Sequence, residues 1–225
     1  MEASSRTKMI ELISIHIPKT AGSSFFQLLK KVYGKEAVLK LNIMEGETAD
    51  ISESITNTTR VIHGHLQAGR LKEVIAKNNA RVITWMRDPV ERVISNYYFS
   101  MQRIREGKAR AHKLHTRDFS LLEYAAMDEN KNKASWFLDG LALEDFFFIG
   151  IYEQFENDIS QLSQLMGWPS QAELPHRKSG DAYTKDNDCT TAYRDIDEKM
   201  RSDLAEFNSL DVDLYQQALR LREVI

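Results

Sequence analysis

Residues 10–24 read Ile10-Glu11-Leu12-Ile13-Ser14-Ile15-His16-Ile17-Pro18-Lys19-Thr20-Ala21-Gly22-Ser23-Ser24, an apolar strand that runs straight into a short loop. Ile10, Leu12, Ile13, Ile15 and Ile17 are mostly β-branched, as a strand buried on both faces requires. The spacing of Phe25, Phe26, Leu28, Leu29 and Val32 predicts a helix directly afterwards. Pro18 ends the strand, Gly22 lets the backbone turn closely, and Ser23 and Ser24 stand at the helix start. Free N–H groups and the helix dipole favour an anion there, and Lys19 adds a positive charge beside them. The expected unit is strand, phosphate-holding loop, helix.

Outward from this stretch, strand and helix signals alternate. A short strand is expected near 37–41, and 45–59 is polar and helix-compatible without an apolar stripe. Arg60 to His65 reads as a strand ending in two histidines, followed by helical spacing at Leu71, Val74 and Ile75. Arg81 to Arg87 is a buried strand. Asp88 is placed to cap the next helix and Pro89 to occupy its first position, with Val90, Val93, Ile94, Tyr97, Tyr98 and Met101 on its apolar face. Helices are expected over 119–127 and 131–138, a strand over 146–151, and a helix over 153–166 ended by Gly167-Trp168-Pro169. Two acidic helices, about 191–207 and 211–225, close the chain. This alternation predicts one α/β domain over 1–225, three layers around a mainly parallel sheet.

Composition narrows the function classes. The chain has 225 residues, 42% hydrophobic and 28% charged, enough for one well-buried domain. A net charge of −3 and a pI near 6.1 give no global reason to bind nucleic acid or an anionic membrane. The single cysteine, Cys189, excludes an internal disulfide framework and a clustered thiolate metal site, as expected of a reducing compartment. Residues 1–9 are polar and lack the layout of a signal peptide, and no apolar run reaches the length of a membrane span. A soluble, cytoplasmic protein is the expectation. The most basic segment, 103–117, lacks interleaved aromatics, so it is no platform for stacking single-stranded nucleic acid. It reads either as a solvated loop or as a basic flap near an anionic cofactor or acceptor.

A nucleotide triphosphatase loop requires its lysine after the glycines, whereas Lys19 precedes Gly22. The run from Pro18 to Ser24 instead resembles the 5′-phosphosulfate loop of the sulfotransferases, which use 3′-phosphoadenosine 5′-phosphosulfate (PAPS). Arg87-Asp88-Pro89-Val90-Glu91-Arg92-Val93-Ile94-Ser95 supplies the second half. A strand-end arginine and a serine about two helical turns later can converge on one dianionic phosphate, and in the sulfotransferases that pair binds the 3′-phosphate. The resemblance extends to Ile149–Glu156 and to Leu210-Asp211-Val212-Asp213-Leu214-Tyr215. It favours the family-2 branch that includes the uronyl and heparan sulfate 2-O-sulfotransferases.

His63-Gly64-His65 is the candidate for acid–base chemistry. A neutral imidazole, with an unperturbed pKa of about 6.5, accepts a hydroxyl proton near neutral pH. On the residues alone, either histidine could be the base, the pair could be structural, or the two could be metal ligands, although no third ligand lies nearby in sequence. The resemblance to the His-Gly-His of the 2-O-sulfotransferases assigns the base to His65 and leaves His63 to orient it or touch substrate. His16 reads as a satisfied histidine at a strand end. Arg177 and Lys178 resemble the late loop that covers the nucleotide. Asn132 and Trp136 resemble the acceptor-side helix, with Trp136 standing where an arginine is common.

The resemblance therefore implies sulfuryl transfer from PAPS to an acceptor hydroxyl, on a carbohydrate, without a metal. His65 takes the proton and Lys19 stabilises the leaving phosphate. The amides and hydroxyls of Thr20, Ala21, Gly22, Ser23 and Ser24 hold the 5′-phosphate. Arg87, Ser95, Arg177 and Lys178 hold the 3′-phosphate and its surroundings. The alternatives are a nucleotide-dependent small-molecule kinase, for which Lys19 is misplaced and a magnesium carboxylate missing, and a non-catalytic binder of PAPS or a sulfated glycan.

Overall fold

The apolar runs become a five-stranded sheet in the order β2-β3-β1-β4-β5, with every pairing parallel. The strands are β1 (Leu12–Ile15), β2 (Val38–Asn42), β3 (Val61–His65), β4 (Arg81–Met86) and β5 (Phe148–Ile151). This is a computed structural model, and it describes residues 10–43, 46–107, 119–169 and 196–223. Among these, the α-helices are α1 (Gly22–Tyr33), α2 (Ile51–Ser54), α3 (Lys72–Asn78), α4 (Pro89–Arg105), α5 (Leu121–Ala125), α6 (Lys133–Leu138), α7 (Phe155–Met166), α8 (Glu198–Phe207) and α9 (Ser209–Glu223).

Side-chain alternation along the strands sorts the core into two layers. Leu12, Val61, Ile83, Trp85 and Phe148 pack on one face with Phe25, Leu28 and Leu29 of α1 and Phe155, Ile159 and Leu162 of α7. Ile13, Ile62, Val82, Met86 and Ile149 pack on the other with Phe137 of α6 and Tyr215 and Ala218 of α9. Both faces are thus covered, which is why the strands carry apolar residues at nearly every position. The expected three-layer α/β architecture is present. Beyond the strand ends, Val93 and Ile94 of α4 join Leu121, Ala125 and Leu204 in a third cluster.

The 45–59 stretch forms only the single turn α2 among its described residues, capped by Asp50 through the Ser52 amide; without an apolar stripe a longer helix has nothing to bury. The C-terminal Asp-x-x-Leu-Tyr element is a clamp. Asp211 is fully buried and accepts hydrogen bonds from the Ala134 and Ser135 amides at 2.9 and 2.7 Å, capping α6 from α9. The Ser135 hydroxyl also donates to it at 2.8 Å, and the buried guanidinium of Arg92 lies 3.9 Å away. Asp211→Asn keeps an acceptor but removes the charge facing Arg92. We expect it to lower unfolding free energy by about 1–3 kcal/mol, read as an earlier urea midpoint.

Candidate functional site

In an open parallel sheet, ligands bind beyond the carboxyl ends of the strands where the chain's direction of winding reverses. Here that point lies between β1, whose following helix leads toward β2, and β4, whose continuation leads toward β5. The loop after β1 and the segment after β4 therefore meet, and the contact is direct: Arg87 Nη1 donates to the Lys19 carbonyl at 3.3 Å.

The turn into α1 is made by residues other than the glycine. Lys19 and Ala21 take the left-handed conformation, with φ of 73° and 65°, a strain that non-glycine residues adopt at a cost of about 1–2 kcal/mol each. Gly22 has another reason to lack a side chain, because a methyl there would overlap the imidazole of His16. α1 starts with no side-chain cap, so the first-turn amides at Gly22, Ser23 and Ser24 have no intrahelical partner. Ser23 is exposed and Ser24 half-buried. Thr20 turns inward: it is fully buried and its hydroxyl donates to the Ile17 carbonyl at 2.8 Å, so what it offers the loop is its amide.

Lys19 Nζ sits 4.1 Å from the centroid of the Phe99 ring. Burial, then the neighbouring Arg87 cation, lower its pKa to about 8. Phe99 is one helical turn beyond Ser95 on α4, so the two share a face that looks toward this loop. Arg87 stacks on Tyr152, 4.4 Å from the ring centroid, with its Nε 4.0 Å from Glu153 Oε1. That Nε is buried and, among the described residues, has no hydrogen-bond partner. A buried guanidinium N–H without an acceptor is costly. Glu153 also accepts from the Asp88 amide at 3.2 Å and from the Tyr215 hydroxyl at 3.3 Å, tying β5, α4 and α9 around the arginine. Tyr152 and Glu153 lie within the Ile149–Glu156 resemblance but without a role, and Phe99 lies outside every motif, because side chains that hold another side chain leave no spacing signal.

The histidines lie beside α1. His63 is 1% exposed, pairs through Nδ1 with the Ser14 hydroxyl at 3.0 Å, and is pushed down to about pKa 3, chiefly by burial and then by His65 and Lys40, against a hydrogen bond to the Gly22 backbone. His65 Nδ1 lies 2.7 Å from the His16 carbonyl. A carbonyl only accepts, so Nδ1 carries the proton and the lone pair of the neutral ring is on Nε2. Burial lowers the His65 pKa, opposed by the His16 carbonyl and assisted by Lys40. Contrary to the reading of a lone pair, a third histidine is close: His16 stacks on His65 with ring centroids 4.2 Å apart. Stacked rings do not aim their nitrogens at one point. Among the described residues no group of His, Cys, Asp or Glu is arranged to hold a metal.

A model of the sulfotransferase family matches residues 6–217, nearly the whole chain. The chain belongs to the sulfotransferase family. Among solved structures it is similar to a mouse sulfotransferase, SULT7A1, complexed with PAP, at 14% identity and a TM-score of 0.45. The similarity covers 79% of this chain and 63% of that one, so the chain spans less than two thirds of the mouse sulfotransferase's length. No curated protein matches it in a sequence search. Arg177, Lys178, Cys189 and most of the basic segment expected over 103–117 lie outside the described residues of this sulfotransferase. Among those residues no helix is long and apolar enough to cross a membrane.

Proposed function

We propose that this sulfotransferase moves the sulfuryl group of PAPS to an acceptor hydroxyl, releasing adenosine 3′,5′-bisphosphate (PAP). The observation that carries this reading is the Arg87–Lys19 contact, which brings the two candidate anion-binding motifs to one point at the carboxyl end of the sheet. The residues present suit the donor: first-turn amides without an intrahelical partner at the start of α1 for a 5′-phosphate, a lysine beside them, and a guanidinium whose Nε–H has no hydrogen-bond partner among the described residues for a 3′-phosphate. PAPS supplies an activated sulfuryl group. The acceptor oxygen bonds to sulfur as the bond from sulfur to the 5′-phosphate oxygen breaks, and the hydroxyl proton goes to His65 Nε2. Lys19 faces the charge that develops on the departing phosphate oxygen. A carbohydrate hydroxyl is the acceptor class we favour, on the resemblance of His63-Gly64-His65 to the 2-O-sulfotransferase motif.

Calorimetry without metal, comparing PAP with ADP and ATP, tests the donor assignment. PAP is expected to bind in clear preference to both. Binding of ATP alone, and only with magnesium, would replace this reading with a kinase. PAP binding without product from PAPS across a panel of hydroxyl acceptors would leave a non-catalytic binder. Within the same experiment, Arg87→Ala should weaken PAP by roughly 10–10²-fold, the worth of one or two charge-assisted hydrogen bonds, and adenosine 5′-phosphate much less. Equal losses for the two nucleotides would take the 3′-phosphate away from Arg87.

A further inference from the structure

We infer that His16 is a positioning residue for the transfer step, a flat wall between the base and the donor loop that fixes the plane of His65 and couples it to α1. The inference rests on the sulfotransferase reading for its function and on geometry for its substance. His16 is the first residue past β1, and its amide donates to the Gly64 carbonyl at 2.8 Å, which carries the β1–β3 register one step beyond the strand. That register puts the His16 carbonyl opposite His65 Nδ1, where it sets the tautomer.

The side chain then does separate work. Its ring lies against His65 at 4.2 Å and 25° and against His63 at 5.2 Å and 19°, one face of a short stack of imidazoles. On its loop side it meets the Gly22 Cα so closely that no side chain fits there. Any shift of the first turn of α1 on filling the loop is therefore passed to the His16 ring, and from it to His65. Phe137 of α6, 5.8 Å from the His65 ring, is a further neighbour of the base.

The charges around this stack decide where a proton goes. Lys19 comes from the loop, Lys40 from β2, and His63 and His65 from β3; α6 presents the uncharged Phe137. His65 donates a ring N–H to the His16 carbonyl at 2.7 Å, and His63, which also bonds the Gly22 backbone, is more deeply buried, so the first proton is best held on His65. His16, half-buried and facing that cation, stays neutral. Its role calls for a face, not a titrating nitrogen. Phenylalanine should therefore substitute for it and alanine should not.

The test is long-range ¹H–¹⁵N NMR of histidine-labelled protein over pH 4.5–8.5, with and without PAP, for the parent, His16→Ala and His16→Phe, with His65→Gln to assign the His65 signals. In the parent, His65 is expected as the Nδ1–H tautomer with a midpoint below 6.5, and PAP should displace its resonances. His16→Ala should raise that midpoint by about one pH unit, as water reaches the ring, and abolish the PAP-induced displacement. His16→Phe should retain both properties. Identical His65 behaviour in all three proteins would overturn the proposal, as would a phenylalanine variant as perturbed as the alanine one. Failure of PAP to bind the parent would sink the sulfotransferase reading instead, and the nucleotide-free midpoints would still decide the His16–His65 contact.

Discussion

His65→Ala is expected to lower turnover by roughly 10²–10⁴-fold, the usual worth of a general base, and to leave PAP affinity close to that of the parent. The separation of the two effects follows from position. His65 ends β3, next to β1 on the side away from β4, whereas the proposed phosphate ligands come from the β1 and β4 ends. Its Nε2 carries the lone pair because Nδ1 is committed to the His16 carbonyl. Since burial lowers its pKa below the ordinary 6.5, the ring is already neutral at pH 7. The acid limb of the rate profile should accordingly fall below pH 6.5 and vanish in His65→Ala. His63→Ala is a different experiment. A ring 1% exposed and hydrogen-bonded to Ser14 cannot meet an acceptor without rearrangement, so its loss should act through stability and through the setting of α1. Turnover in His65→Ala equal to the parent's would remove His65 from the base role.

What could be read before the fold was seen depended on whether the signal was local. β1, β4 and β5 announce themselves because a strand covered on both faces needs an unbroken apolar run, and Ile13, Ile83 and Ile149 each have a helix to pack against. Asp88 and Pro89 mark the start of α4 by cap chemistry alone, and the Asp88 carboxylate does accept from the Glu91 amide. The site is legible only in halves. Lys19 and Arg87 stand 68 positions apart, and only the sheet order, with β4 beside β1, makes them neighbours. The contacts of His16 are hidden for a related reason: they are with a strand whose register no spacing reveals. Asp211 carried a recognisable motif without a physical meaning until the α6 amides were seen to point at it. Gly22 had the right identity for a reason other than turning, since the left-handed residues of the loop are Lys19 and Ala21.

The loop lysine carries the second large effect. Lys19→Ala should cost roughly 10²–10³-fold in kcat, the usual loss on removing one group that stabilises charge developing in the transition state, with a smaller loss of PAP affinity. Its pKa gives a sharper signature than the magnitude. Burial and Arg87 bring it to about 8 in the free protein, so the cation that transfer requires is complete below that pH and disappears above it. kcat/KM for PAPS reports the free enzyme and should therefore fall on the alkaline side with a midpoint near 8. The bound donor brings negative charge to the loop, which favours the ammonium; the alkaline limb of kcat should then lie at higher pH than that of kcat/KM. Together with the acid limb from His65, which needs its neutral form, the parent profile is a bell whose two sides belong to different residues. Lys19→Ala should flatten only the alkaline side and His65→Ala only the acid side. Measuring kcat/KM for PAPS from pH 5 to 10 in the parent and both variants checks this. An alkaline limb near 8 that survives in Lys19→Ala would show that some other group carries it, and would separate the lysine's charge from the chemistry of the leaving phosphate.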